Sequence, residues 1–574
     1  MATFSSIRQG AGQRLRAGLW DAAAVLLVLG IIVSLALGSR AVMEPLPPAG
    51  TAPLALDPAT LPELALFTTL RMAAAMVLSL LFTFTYATLA AKNRSAERLL
   101  IPILDIVQSV PILGFISVTV VFFMSLAPGL TLGAEFAAIF AIFTSQAWNM
   151  AFSFYQSLRT VPEELTEAAR SFRLGGWMRF WKLEVPFAMP SLVWNMMMSM
   201  SGGWFFVVAS EVISVGETEV MLPGLGSWIA VAIAARDLGA IFWAILAMLA
   251  TILIYDQLFF RPLVAWADRF RFEQEAGVAP PRSWVLTMLR RSGLVGLCRR
   301  AFAVAWRTAG AAMPAARAGR GPRRRYPIGA GWLWQGMAAA LILFALWETA
   351  RFIAVGVTWA EVGTAFLLGL ATMVRVFVLI ALASVIWVPA GVWLGLRPGA
   401  ARIAQPVAQF MAAFPANLLF PLAVSAIIVL RLDPDIWLSP LMILGTQWYI
   451  LFNVIAGASG IPGELRDIAT SLRVRGWHWW RRVALPAIFP AYMVGAITAS
   501  GGSWNASIVA EIASWGDTTL RAHGLGAYIT EMTEAGDFPR IVLGIAVMSA
   551  FVVVINRALW RPLQALAERK FRLG

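Results

Sequence analysis

Long runs of apolar residues, separated by short polar stretches rich in arginine, organise this chain. The runs fall near 20–38, 64–91, 99–125, 132–157, 187–213 and 237–261, and again near 332–354, 363–396, 404–430, 436–458, 487–513 and 537–560. Crossing a bilayer takes about 20 residues of helix. Within lipid the backbone must satisfy its own hydrogen bonds, and a helix does so. The pattern predicts an all-α polytopic membrane protein of two six-helix halves, about 12 transmembrane helices in all. Pro111 and Pro415, at matched places in the third run of each half, are expected to break or kink that helix.

The polar stretches repeat too. Residues 161–186 read VPEELTEAARSFRLGGWMRFWKLEVP and residues 461–486 read IPGELRDIATSLRVRGWHWWRRVALP, an offset of 300. The same offset pairs Pro190 with Pro490, Trp204 with Trp504, Glu211 with Glu511 and Gly224 with Gly524. Upstream the offset is 304, pairing Arg71 with Arg375 and Pro111 with Pro415; a four-residue deletion accounts for the change. Two pseudo-equivalent halves follow, 1–263 and 328–574, joined by a basic linker at 264–327. Within the linker, 283–306 reads either as an interfacial amphipathic helix or as a flexible tether, and Arg323–Arg325 as a stop signal before the next helix.

Composition narrows the class further. The chain of 574 residues is 59% hydrophobic and 13% charged, about half the charged fraction of a soluble protein. Its net charge of +14 sits mainly on arginines in the loops, which points to anionic lipid and not to nucleic acid. One cysteine, Cys298, allows no internal disulfide, and His478 and His523 form no metal pattern. Arg8, Arg14 and Arg16 before the first run resemble a signal peptide, but the matching run at 332–354 favours a retained helix. Basic loops alternate with acidic or neutral ones, which places both termini and both repeated loops in the cytoplasm.

Each repeated loop has a helix–turn–helix look. Pro162 and Pro462 suit a helix start, Glu163 and Glu164 sit near its positive end, and a glycine turn leads into Trp177, Phe180 and Trp181 or Trp477, Trp479 and Trp480. Two such loops at equal depth suit a two-fold symmetric cytoplasmic partner. The loops resemble the EAA loop of ABC importer permeases. Glu167-Ala168-Ala169 with Val185-Pro186 fits that frame, and Asp467-Ile468-Ala469 with Leu485-Pro486 fits it less strictly. The family glycine falls at Arg173 and Arg473, so the turn is expected to shift to Gly175, Gly176 and Gly476. Gly202-Gly203-Trp204 through Glu211, Gly502-Ser503-Trp504-Asn505 through Glu511, and the later Gly-Leu-Gly triplets resemble the nitrate/sulfonate/taurine subgroup.

The resemblance implies a permease of the bacterial inner membrane that imports a small anion by alternating access. Two cytoplasmic ATPase subunits, with ATP and Mg, would dock on Glu164, Glu167, Ala168, Ala169, Gly175 and Gly176 and on Glu464, Asp467, Ala469 and Gly476. An external solute-binding protein would deliver the solute, and one chain would replace the usual permease dimer. No G-x-x-x-x-G-K-[ST] loop occurs in the sequence, so ATP hydrolysis is expected on separate subunits and no cofactor on this chain. An ion-driven transporter with internal repeats, or an ABC permease for a non-anionic solute, is the alternative.

Charges within spans ask for partners. Arg71 with Glu211, and Arg375 with Glu511, are expected to form an ion pair in each half near the outer gate. Either the pair only braces helices two and five, or the arginine also meets the anion. Trp204 and Trp504 either gate or pack; Ser503 and Asn505 either meet solute or join helices.

Overall fold

The computed structural model describes residues 20–38 (without 24, 31, 34 and 37), 45, 55–108, 111–172, 174–215, 218–270, 283–292, 295, 296, 300 and 329–570. Arg8, Arg14, Arg16, Arg173, Cys298, residues 301–306 and Arg323–Arg325 lie outside them.

The first half holds α1 (Leu61–Lys92), α2 (Arg94–Val107), α3 (Ile112–Leu126), α4 (Thr131–Arg159) and the loop helix α5 (Glu163–Ser171). After these come α6 (Gly176–Ser210), α7 (Leu225–Ala234) and α8 (Leu238–Phe270). The linker contributes α9 (Trp284–Arg291). The second half repeats the order with α10 (Gly329–Ala354), α11 (Trp359–Gly395), α12 (Pro398–Ala413), α13 (Ala416–Val429), α14 (Gln447–Ser459) and the loop helix α15 (Gly463–Ser471). It ends with α16 (Gly476–Ala510), α17 (Leu525–Glu534) and α18 (Phe538–Ala567). An apolar helical stretch, Trp20–Gly30, precedes α1.

Six of these helices are individually long and apolar enough to cross a membrane, and two further spans are bent pairs. The expected third spans are split. α12 and α13 meet at 78°, with Pro415 at the break, and Pro111 caps α3 after the end of α2. Proline lacks the N–H that a continuing helix needs. The fourth span of the second half is also bent, by 43° between Pro434–Met442 and α14.

Two features are absent from the sequence expectation. Each half carries a two-stranded antiparallel ribbon, β1 (Val212–Val215) with β2 (Thr218–Met221) and β3 (Ile512–Trp515) with β4 (Thr518–Arg521). Four-residue strands fall below what alternation reveals in a loop. Helices α6, α8, α16 and α18 each contain a π-helical turn, at Phe180–Glu184, Asp256–Phe260, Trp480–Ala484 and Asn556–Trp560. The turns recur at the 300-residue offset, as features of the architecture do and accidents do not.

The split third spans knit the halves together. Ile112 and Leu113, at the start of α3, are buried in the core of the second half. Phe414 and Leu418, around the α12–α13 break, are buried in the core of the first. α9 is capped by the Ser283 hydroxyl, which accepts from Leu286 N at 3.1 Å, and its Val285 and Met288 are buried where it packs on α8.

Candidate functional site

The repeated loops sit at one end of the bundle, called here the loop end; the ribbons lie at the other, the ribbon end. In each loop helix one face is free and one residue is anchored. Ala169 and Ala469 are buried, whereas Glu164, Glu167, Ala168, Glu464 and Asp467 are exposed. Apolar side chains end both helices in solvent: Phe172 is 79% exposed and Leu472 71%. Gly176 and Gly476 are exposed, and Gly175 caps the start of α6.

The second loop closes through two left-handed residues. Arg473 has φ 53° and Gly476 φ 58°, and Val474 N donates to the Ala469 carbonyl at 2.9 Å, completing a helix-ending turn. The chain thus puts an arginine where the resemblance expects glycine, and the turn is made there as well as at Gly476. In the first loop Leu174 N donates to the Ala169 carbonyl at 3.0 Å in the same way. The root of that loop is pinned by charge: Glu184 takes Lys92 of α1 at 2.7 Å and Arg179 at 2.9 Å. The second loop has Ala484 and Leu396 at those places and lacks this tie.

At the ribbon end the two predicted arginine–glutamate pairs are joined by a third acid that the sequence patterns above do not single out. Arg71 gives Nε and Nη2 to the two carboxylate oxygens of Glu135, both at 2.6 Å, and Nη1 to Glu211 at 2.8 Å. Glu211 Oε1 also accepts from the Thr68 hydroxyl at 2.6 Å, and Oε2 from Gly226 N at 2.6 Å. The carboxylate therefore rests on the start of α7, where free backbone N–H groups favour an anion. Gly224 lies against it; a Cβ there would come within 2.2 Å of the Glu211 carboxyl carbon.

The second half repeats the frame and opens it. Arg375 Nη1 reaches Glu511 at 3.3 Å and the His523 carbonyl at 2.9 Å, and Nη2 reaches Asp435 at 2.9 Å. Thr372 and Gly526 N hold Glu511 as their counterparts hold Glu211. Asp435 also meets His523 Nδ1 at 2.8 Å. The Arg71 side chain is 3% exposed and that of Arg375 15%, while His523 is 82% exposed. Glu135 and Asp435 stand 300 apart. A lone acid in an apolar run was the available signal for Glu135.

The remaining expected residues lie between helices. Trp204 and Trp504 are 2% exposed and pack on Tyr255 and Phe551. Ser503 is buried and shares a hydrogen bond with Thr446 at 3.0 Å. The Asn505 side-chain oxygen accepts from Ile112 N at 2.7 Å, tying α16 to α3 across the halves. A second tie crosses at the ribbon end: Gly516 N donates to the Ile233 carbonyl at 3.1 Å, and Arg236 meets Asp517 at 3.0 Å. Between the halves there, a cavity of about 210 Å³ is lined by Val208, Ile229, Phe420, Val424 and Val509. The side-chain oxygen of Asn417, also in its wall, is buried with no hydrogen-bond partner.

The sequence matches a family model, described as binding-protein-dependent transport system inner membrane component, twice: over 83–261 and over 387–572. Together the matches cover more than half of the chain. The chain belongs to that family. Both loops, Glu135, Asp435 and the two glutamates of this permease lie inside the matches; Arg71 and Arg375 lie just before them. Among curated relatives, it is 26% identical over 189 residues to a bicarbonate transport system permease protein, CmpB, of Synechococcus elongatus, covering 33% of this chain and 64% of that one. It is 23% identical over 186 residues to a nitrate import permease protein, NrtB, of Leptolyngbya laminosa, covering 32% and 63%. A glycine betaine/carnitine transport permease protein, GbuB, of Listeria monocytogenes is 28% identical over 169 residues, covering 29% and 54%. The permease thus spans less than two thirds of the length of these relatives.

Proposed function

We propose that this chain is the whole membrane pathway of an ATP-driven importer for a small anion. Its halves, 1–263 and 328–574, stand in for two permease subunits, joined through 264–327, which holds the end of α8 and the packed helix α9. The observation that carries the reading is the pair of loop helices, each anchored by a buried alanine and each ending in an exposed apolar side chain. Such paired knobs fit two ATPase subunits that bind ATP and Mg. The arginine-rich loop end faces the cytoplasm, as basic loops of membrane proteins do, in the inner membrane of a bacterium. The ribbon end faces outward and receives solute from a binding protein.

The anion meets the second half. Arg375 and His523 face solvent, whereas Arg71 is sealed between two acids. Bicarbonate and nitrate relatives support an anionic solute; the glycine betaine relative supports a zwitterion as the second reading. The test is uptake by vesicles holding the purified chain, a P-loop ATPase and a binding protein encoded beside it. ATP-dependent uptake of labelled bicarbonate, nitrate or a sulfonate is expected, and uptake of betaine alone supports the second reading. No nucleotide-dependent uptake of any of them, with no ATPase bound, removes both.

A further inference from the structure

A second cavity, of about 700 Å³, lies at the loop end, away from the arginine clusters of the ribbon end. Lys92, Arg94, Glu97, Arg98, Tyr155 and Arg159 line it. Four cations face one acid, and that acid is already engaged: Glu97 accepts from the Tyr155 hydroxyl at 2.6 Å and pairs with Arg159 at 3.5 Å. Lys92 shares itself with Glu184. Arg94 and Arg98, four residues apart on α2 and so on one face of it, are exposed and make no ion pair or side-chain hydrogen bond among the described residues. A concave site with two unused guanidinium forks favours an oxyanion.

Its surroundings name the anion's source. Lys92 is the last residue of α1, a membrane-crossing helix. Leu78 and Leu81, exposed and apolar, share a helical face with Lys92 by their spacing, and exposed Leu89 lies about one turn before it. An apolar stripe thus runs down the span and ends at the basic cavity. The second half has no equivalent. Leu396, Pro398, Ala401, Ile455 and Ser459 stand where Lys92, Arg94, Glu97, Tyr155 and Arg159 do, and only Arg402 keeps a charge. A partner that docks alike on both loops does not explain a site present on one side alone.

We propose that this cavity binds the phosphate of an anionic phospholipid, with Arg94 and Arg98 as its main partners and the acyl chains along the Leu78–Leu81–Leu89 stripe. Basic pockets between helices near the membrane surface recognise such headgroups.

The test uses the full-length chain, without ATPase or solute, in nanodiscs of phosphatidylcholine doped with spin-labelled phosphatidylglycerol or spin-labelled phosphatidylcholine. Preferential immobilisation of the phosphatidylglycerol is expected, weakening as salt rises. Arg94→Gln with Arg98→Gln should lower the preference about fivefold for each arginine removed, and Arg94→Lys with Arg98→Lys should retain most of it. Should the double glutamine variant fail to fold, the single variants Arg94→Gln and Arg98→Gln carry the test, each expected to lower the preference about fivefold. Equal immobilisation of the two lipids overturns the proposal. So does full competition by millimolar glycerophosphate, which would make a free phosphate the ligand. A glutamine variant with unchanged lipid preference that no longer binds the ATPase would assign the site to protein. Because neither transport nor nucleotide enters the lipid assay, its failure leaves the importer reading standing, and the reverse also holds.

Discussion

Arg71 and Arg375 occupy the same place in the two halves and do not have the same work. Among the described residues, Arg71 is the only cation facing Glu135 and Glu211. Replacing it with glutamine leaves two buried acids unpaired, at a cost of about 3–5 kcal/mol. Thermal unfolding of Arg71→Gln should therefore show a large loss of stability. Arg375→Gln leaves one buried acid, Glu511, without its ion pair, so a smaller loss of stability than for Arg71→Gln is expected, since Asp435 keeps His523 and solvent, while anion uptake drops by about tenfold or more, equivalent to one lost interaction of about 1.4 kcal/mol. If Arg375→Gln and Arg375→Lys both transport normally, Arg375 is only a brace. Gly224→Ala and Gly524→Ala test the frame itself: each would push a methyl onto a fixed carboxylate, with an expected loss of about 1–3 kcal/mol in melting experiments. The arginine–glutamate spacing was legible from the repeat. Glu135 was legible only as a lone acid in an apolar run, and Asp435 lay beside Arg431 and Asp433 with nothing to single it out, because what makes them partners is the packing of α4 and of Pro434–Met442 against α1 and α11, which no local pattern records.

At the scale of elements, the loop helices, their prolines and the broken third spans could be read from sequence. The ribbons and π turns could not. Each strand has only four residues, too few for alternation to show, and each hairpin is closed by a bond from Leu222 N or Ala522 N to the Glu211 or Glu511 carbonyl, at 2.9 and 2.8 Å. A five-residue π turn inside a helix leaves no periodic mark of its own. The loop turn gives a test at this scale. A non-glycine residue held left-handed costs about 1–3 kcal/mol, and Arg473 is one. Arg473→Gly should raise the melting temperature without altering stimulation of the ATPase. Phe172→Ala and Leu472→Ala should leave melting unchanged, because both side chains lie in solvent, yet weaken ATPase co-purification. Unaltered binding in both single variants and in the double variant would mean that the knobs are not the docking points.

At the scale of the molecule, the halves are not two beads on a string. Each lends apolar residues to the other's core, Ile112 and Leu113 in one direction and Phe414 and Leu418 in the other. Either half expressed alone should expose that gap and be degraded or aggregate. The halves produced together, with the chain cut within the linker, should reassemble and purify as one particle. A stable, monodisperse single half would contradict this exchange. The twofold repeat, legible from the first loops, gave no hint of how deeply the copies interlock, because the exchange depends on the direction each helix takes after its proline.

The unequal arginine clusters carry a consequence for how such a chain diverges. Where two identical subunits form a channel, each mutation lands on both walls, and neither wall is free to specialise. Here one gene spells each wall separately. One cluster has become a sealed clasp, while its twin keeps a face to the water, with a histidine where the first copy has Pro223. On the proposed function, joining the copies would release the pathway from mirrored inheritance, leaving the two sides of a single route free to take different parts in handling one solute.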